Sequence, residues 1–384
     1  MKTCKRWIAL LTLLGIVLFP CRAAAENDEV NLHARAALLM DAATGRVLYE
    51  KDGFTPYAVA STTKILTAMI ILEAECGEDY VKVSSNAAKQ PKVKLYIKEG
   101  EEYKVSDLLY SLMLESHNDV AVALAEHVAG SVENFADKMN KKAGELGCKT
   151  AHFITPNGLD ATDEDGANGA SAYDMGLITA YALQNPEFLE LIRTDSHSFT
   201  DKTGNRSHTV HNQDDFLDLY EGAIGVKTGF TNQAGYCFVG AAEQEGNTYI
   251  SVVLGCGWPP QKTLKWQDTK ELMDFGKENF RLQSLTCNIK YPTVQISNGQ
   301  KDNVTVECLR KAYHLLLSDW DEISVHSFRE GVLAAPVEKG DVIGWERIYV
   351  NQYLLAEFPI VAGEDMKPVT MEFSFYKIWQ IFSF

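Results

Sequence analysis

The chain has 384 residues, 46% of them hydrophobic and 23% charged, enough to build one large core and a second, smaller one. A formal net charge of −16 argues against a nucleic-acid partner. Eight cysteines without a CxxC pair argue against both a disulfide scaffold and a thiolate zinc site.

Residues 1–25 read as a secretory signal peptide: Lys2, Lys5 and Arg6, an apolar run from Trp7 to Phe19, then Ala23-Ala24-Ala25. The run is shorter than the roughly 18 residues that span a bilayer. Bulky Phe19-Pro20 disfavours lipidation at Cys21. Cleavage would take the net charge from −16 to −20 and place the chain outside the cytoplasmic membrane.

Residues 26–281 are expected to form one domain. Apolar runs on either side of Asp41-Ala42-Ala43-Thr44-Gly45 predict a β-hairpin. Ile65, Ala68, Met69 and Leu72 then recur at helical spacing with apolar Leu66, Ile70 and Ile71 between them, the pattern of a buried helix. Two or three helices follow, broken at Ser116-His117-Asn118 and at Gly130. The stretch from Cys148 to Gly169 is turn-rich, Ser171 to Gln184 returns to helix, and the region after Ile192 is polar. Strand-like sequence around Val226 continues into a hairpin turning near Glu245-Gly246, and Lys265 to Phe280 is an amphipathic helix. That hairpin brings Cys237 and Cys256 onto neighbouring strands in slightly offset register, leaving a bridge and two free thiols both open.

Residues 282–372 change character to short alternating segments, a small all-β domain whose last strand is expected in VTMEFSF, up to Phe375. In residues 373–384, Phe375, Ile378, Trp379 and Phe382 fall at helical spacing opposite Lys377, Gln380 and Ser383. Such an aromatic helix suits a membrane surface and packing on its own domain equally, and Ile381 interrupts its polar face.

Three short patterns carry chemistry. Ser61 and Lys64, three apart on a helix, share a face, so the ammonium reaches the hydroxyl. Lys64 is the only charged residue between Asp52 and Glu73, and burial among apolar neighbours lowers a lysine toward a usable base. Ser116-His117-Asn118 offers a proton-relaying hydroxyl and an amide for a peptide carbonyl, although Asn118 or Asp119 would equally cap a helix beginning at Val120. Lys-Thr-Gly occurs twice. Lys202-Thr203-Gly204 lies in polar turn sequence, whereas Lys227-Thr228-Gly229 lies in apolar strand sequence, where its cation and hydroxyl would bind an anion and its glycine would admit a substrate backbone.

In that order, Ser61-Thr62-Thr63-Lys64, Ser116-His117-Asn118 and Lys227-Thr228-Gly229 resemble the three motifs of penicillin-binding proteins and serine β-lactamases. Their surroundings, such as MDAATGRVLYEKD, FITPNGLD and YEGAIGVKTGFTNQAGYC, are similar to low-molecular-mass serine-type D-alanyl-D-alanine carboxypeptidases. The resemblance implies an α/β (α+β) transpeptidase-like domain, an antiparallel sheet with a helical cluster, followed by a small all-β domain. It further implies that Ser61 attacks the peptidoglycan stem peptide with Lys64 as base and Ser116 as relay. Asn118 would hold the peptide, Lys227 and Thr228 its carboxylate, and the N–H groups of Ser61 and Phe230 the oxyanion. β-Lactam antibiotics would acylate Ser61, and neither metal nor cofactor is required.

This chain departs from the pattern at Gln213-Asp214, where relatives often carry a basic or polar residue followed by asparagine. His117 is bulkier than the usual middle residue and reads as lining rather than base. A β-lactamase would need a carboxylate for deacylation, and Glu164 in a Gly/Asp-rich loop reads instead as solvated surface. A non-catalytic, penicillin-sensing or wall-binding protein would lack the nucleophile or base that this chain retains.

Overall fold

The segment AALLMD, Ala36–Asp41, is buried at every position, and a strand with no exposed face must lie between two layers. The computed structural model describes residues 30–286, 292–310 and 312–382, so the expected signal peptide and Cys287 lie outside the described residues. It divides into two compact units, one comprising the described residues through Leu282 with Leu316–Trp320, the other Gln283–Leu315 with the chain from Asp321.

In chain order the first unit contains β1 (Ala36–Asp41), β2 (Val47–Lys51), α1 (Lys64–Glu73), β3 (Tyr80–Lys82), α2 (Ser85–Ala88), β4 (Glu102–Lys104), α3 (Val105–Leu114), α4 (Asn118–Ala129), α5 (Val132–Glu145), α6 (Ala172–Ala182), α7 (Pro186–Arg193), β5 (Ser196–Thr200), β6 (Ser207–His211), α8 (Phe216–Leu219), β7 (Ala223–Thr231), β8 (Gly235–Gln244), β9 (Asn247–Leu254) and α9 (Leu264–Asn279). Its main sheet is antiparallel in the order β2-β1-β9-β8-β7. Because side chains alternate across a strand, Leu39 of β1 lies in the core under α9 with Phe238, Tyr249, Trp266 and Leu272, while Leu38 and Met40 meet Gly176 of α6. The sheet is thus covered by α9 on one face and by the helical cluster on the other.

The helices start where their sequences provide caps. Ser131 Oγ accepts from Asn134 N at 3.1 Å and Ser171 Oγ from Asp174 N at 3.1 Å, while Asn185 and Pro186 open α7. The polar stretch after Ile192 forms the β5–β6 hairpin, strands that the sequence conceals because only Phe199 and Val210 are buried in them. Of the two alternatives for Cys237 and Cys256, the free thiols hold and no bridge is formed. Cys256 lies beyond the last β8–β9 pair and donates its thiol to Asp268 at 3.2 Å, whereas the Cys237 thiol lies 3.8 Å from the Ala58 carbonyl.

After α9, β10 (Arg281–Thr286) leads to the strands of the second unit, β11 (Thr293–Ser297), β12 (Asn303–Cys308), β13 (Ala312–Leu317), β14 (Ile323–Arg329), β15 (Val332–Ala334), β16 (Val342–Val350) and β17 (Tyr353–Ala362). A six-stranded sheet in the order β14-β16-β17-β12-β11-β15 buries Val294, Ile296, Val304, Val306, Ile343 and Ile360. The strand expected through Phe375 is instead the helix α10 (Met371–Phe382). Thr370 opens it, accepting from Phe373 N at 3.2 Å through its hydroxyl and from Ser374 N at 3.0 Å through its carbonyl. No residue of α10 is buried, and Phe375, Trp379 and Phe382 are 68–79% exposed. Among the described residues no helix is long and apolar enough to cross a membrane.

Candidate active site

Ser61 sits in a 3-10 turn, Ala60–Thr63, that runs directly into α1. Ala60 before it holds φ of +48°, a left-handed conformation that costs an L-residue on the order of 1–3 kcal/mol and recurs at functional turns. Lys64, the first residue of α1, is fully buried, and its Nζ donates to Ser61 Oγ at 2.8 Å, to Asn118 Oδ1 at 3.0 Å and to the Asn157 carbonyl at 2.6 Å. Burial first, and then the positive charge of Lys227, hold Lys64 well below the usual lysine range.

Ser116-His117-Asn118 occupies the break between α3 and α4. Ser116 adopts φ of +67°, and its Oγ is buried without a hydrogen-bond partner among the described residues. His117 is buried, lies 2.8 Å from Ser111 Oγ through Nδ1 and 3.2 Å from Glu115 through Nε2. Burial, reinforced by Lys64 and Lys227, pushes His117 down to about 4, so it is neutral at pH 7. The capping alternative for Asn118 does not hold. The helix begins at Asn118 itself, and the amide oxygen is turned to Lys64. Asp119 fixes the preceding loop instead, accepting from Leu95 N at 2.9 Å and Ile97 N at 3.3 Å.

The third element lies on β7, the edge strand beside the serine turn. A Cβ added at Gly229 would stand 2.9 Å from Ser61 N and 3.1 Å from Thr62 N, so only glycine allows this approach. Lys227 is buried and lowered to about 7 by desolvation, against the opposing attraction of Asp214. Asp214 is itself pushed up to about 7 by burial. Its Oδ1 accepts from Phe216 N at 3.1 Å, while Oδ2 is buried without a hydrogen bond among the described residues. Phe230 is partly exposed and packs on Tyr236 at 4.7 Å between ring centroids.

Lys202-Thr203-Gly204 is elsewhere, in the β5–β6 turn. Gly204 has φ of +74°, Thr203 Oγ1 donates to Asp201, and Lys202 pairs with Glu102 at the surface. Glu164 is exposed.

The structure therefore brings Ser61, Lys64, Asn118 and Gly229 together around one hydroxyl, and Lys227 reaches the same group through its charge. Sequence reasoning missed the Asn157 carbonyl, which accepts from Lys64 and lies 3.4 Å from Ser61 Oγ. The only sequence signal is the Pro156-Asn157-Gly158 turn, since the acting atom belongs to the backbone. It also read Asp214 only as a missing contact, not as a buried carboxyl whose charge acts on Lys227.

A hydroxyl on a desolvated amine, beside an edge strand carrying a buried cation, is a constellation suited to acyl transfer onto serine. Residues 22–257 match the D-alanyl-D-alanine carboxypeptidase family, and residues 287–368 match the penicillin-binding protein 5 C-terminal domain. The chain belongs to the D-alanyl-D-alanine carboxypeptidase family. It is 32% identical to the D-alanyl-D-alanine carboxypeptidase DacF of Bacillus subtilis (strain 168), across 94% of this chain and 95% of that protein. Penicillin-binding protein 5 from Haemophilus influenzae superposes with a TM-score of 0.73 at 26% identity, covering 89% of this chain and 99% of that one. Penicillin-binding protein D2 from Listeria monocytogenes, solved in its ampicillin-bound form, gives a TM-score of 0.57 at 30% identity over 65% of this chain and all of that one.

Proposed function

We propose that this carboxypeptidase is serine-type, with Ser61 as nucleophile, and that it removes the terminal D-alanine of peptidoglycan stem peptides. The carrying observation is the 2.8 Å contact between Lys64 Nζ and Ser61 Oγ, with the lysine held below its usual range by burial. Lys64, held below the usual lysine range, acts in its amine form and takes the hydroxyl proton as Ser61 Oγ bonds to the carbonyl carbon between the two D-alanines. Ser116, whose buried hydroxyl has no hydrogen-bond partner among the described residues, passes a proton to the departing amine as the C–N bond breaks and regains one from Lys64. Asn118 orients the peptide. The N–H groups of Ser61 and Phe230 stabilise the oxyanion, and Lys227 and Thr228 grip the terminal carboxylate. Water then attacks the ester, its oxygen joining the acyl carbon while the proton returns to Ser61 Oγ.

β-Lactams would acylate the same hydroxyl, in keeping with the ampicillin-bound Listeria relative. Work on peptidoglycan places the protein outside the cytoplasm, and the exposed aromatic face of α10 suits contact with the outer membrane-water boundary. The test is release of D-alanine from a diacyl-Lys-D-Ala-D-Ala peptide, compared with Ser61→Ala. The wild type should release it and the variant should not; equal release by both would overturn the assignment.

A further inference from the structure

His117 is the member of the Ser116-His117-Asn118 turn to which the proposed chemistry gives no task, and it is bulkier than the usual middle residue. Its ring is tied to the protein at both nitrogens. Nδ1 lies 2.8 Å from Ser111 Oγ on α3, and Nε2 lies 3.2 Å from Oε2 of Glu115, the residue that closes that helix. A carboxylate oxygen only accepts, so Nε2 carries the proton and Nδ1 accepts from the Ser111 hydroxyl. Both partners of the ring precede Ser116 in the chain, whereas the ring follows it. The two bonds therefore close a clamp around Ser116. The ring is 4% exposed and burial keeps it neutral, so it adds no further cation beside Lys64 and Lys227.

The clamp is anchored from outside as well. Glu115 Oε1 accepts from His211 N at 2.9 Å, and the Leu114 carbonyl accepts from Gln213 N at 3.2 Å. After the turn, Asn118 N donates to the Val93 carbonyl at 2.7 Å.

Ser116 needs such a frame for two reasons. Its φ of +67° is a left-handed conformation that a serine keeps only where its surroundings fix it. Its Oγ has no hydrogen-bond partner among the described residues, so no bond of its own places the hydroxyl. The position of that hydroxyl is inherited from the backbone on either side, which is the backbone that Glu115 and His117 hold.

We propose that His117 and Glu115 are positioning residues for proton delivery, their mutual bond and the bond to Ser111 holding the Ser116 hydroxyl where it can protonate the departing amine. The inference rests on the role proposed above for Ser116.

The test compares two substrates with the same acyl part, the D-Ala-D-Ala peptide and a thioester, because an amine must be protonated as it leaves and a thiolate leaves without a proton. His117→Ala should lower kcat/KM for the peptide on the order of 10–10²-fold and leave the thioester within about twofold of wild type. Ser116→Ala should show the same split. Adding His117→Ala to it should lower the peptide rate by no more than about twofold further, since both changes act through one hydroxyl. Glu115→Gln keeps an acceptor for His211 N and can pair with either ring tautomer, so it should stay within about threefold of wild type, whereas Glu115→Ala should show the peptide-specific loss. That pair decides the matter if the histidine variant does not fold. Equal losses on peptide and thioester, or additive effects of His117→Ala and Ser116→Ala, would overturn the inference and leave the Ser61 hydrolase reading intact. So would a wild type that cleaves the peptide and not the thioester, because the step said to need Ser116 would then be the easier one. A wild type that releases D-alanine no faster than Ser61→Ala would overturn both.

Discussion

Two stretches of this molecule carry the same three residues, Lys-Thr-Gly, and have opposite physics. Lys227 is 2% exposed on an edge strand whose glycine touches the serine turn, with Asp214 and Lys64 as its charged neighbours. Lys202 has a side chain 50% exposed in a hairpin turn, pairs with Glu102 and lies 4.8 Å from the ring centroid of Tyr80. A cation taken out of water is strained electrostatically and gains from any anion that arrives, whereas a solvated one already has water and a carboxylate. Burial, not spelling, is what separates the two triplets.

The contrast is sharpest in Lys227→Ala. Removing the buried cation would take away both the proposed grip on the substrate carboxylate and part of the electrostatic pressure that holds Lys64 below the usual lysine range. The acylation rate, followed with labelled penicillin and with the D-Ala-D-Ala peptide, should fall on the order of 10²–10³-fold. A loss below tenfold would break the comparison at its strong end.

Asp214 tests the electrostatics of the buried side. Its carboxyl titrates at about 7 in the folded protein, above the ~3.9 of an unfolded aspartate, so the folded state holds a proton that the unfolded state releases. The stability this contributes is complete below pH ~4 and is lost as pH rises through about 7. Asp214→Asn has nothing to ionise, so thermal melts should show a Tm gap in its favour that opens between pH 4 and pH 8 and is flat below. Its activity should move the other way. The negative charge of Asp214 supports protonation of Lys227, so without it the alkaline loss of substrate binding should begin at lower pH. A Tm gap independent of pH would show that Asp214 does not titrate as described.

How far the site could be read in advance follows the same division between local and assembled features. The burial of Lys64 was legible because no other charge stands between Asp52 and Glu73 and the helix around it is apolar on most sides. The choice of Lys227 over Lys202 was legible because apolar alternation and turn chemistry are local. The main hairpins and the break at Ser116 were legible for the same reason. The Asn157 carbonyl was not, since a backbone atom leaves no residue-type signal and its role depends on a turn meeting α1 from 93 positions away. The electrostatic influence of Asp214 on Lys227 needed the fold to bring α8's leading loop near β7. The start of α10 was misread because Met371, Phe373 and Phe375 satisfy a strand pattern, while Met371 and Phe375 also satisfy a helical one, and the Thr370 cap decides between them.

The smallest expected effect closes the comparison from its other end. Lys202→Ala removes one exposed ion pair and one cation-aromatic contact, together worth ~1 kcal/mol or less of stability. The turn itself should survive, because Asp201 accepts from Arg206 N at 2.7 Å and Lys202 N donates to the Glu102 carbonyl at 2.8 Å, bonds that do not involve the lost side chain. Neighbouring Arg206, held by Glu101 at 2.7 Å and 2.8 Å, continues to tie the hairpin to β4. Acylation by penicillin and release of D-alanine should therefore stay within twofold of wild type, with at most a small drop in Tm. If Lys202→Ala instead slowed acylation as much as Lys227→Ala, burial would not be what separates the two triplets, and a path from the β5–β6 hairpin through the Glu101–Tyr103–His208 contacts would have to carry the effect.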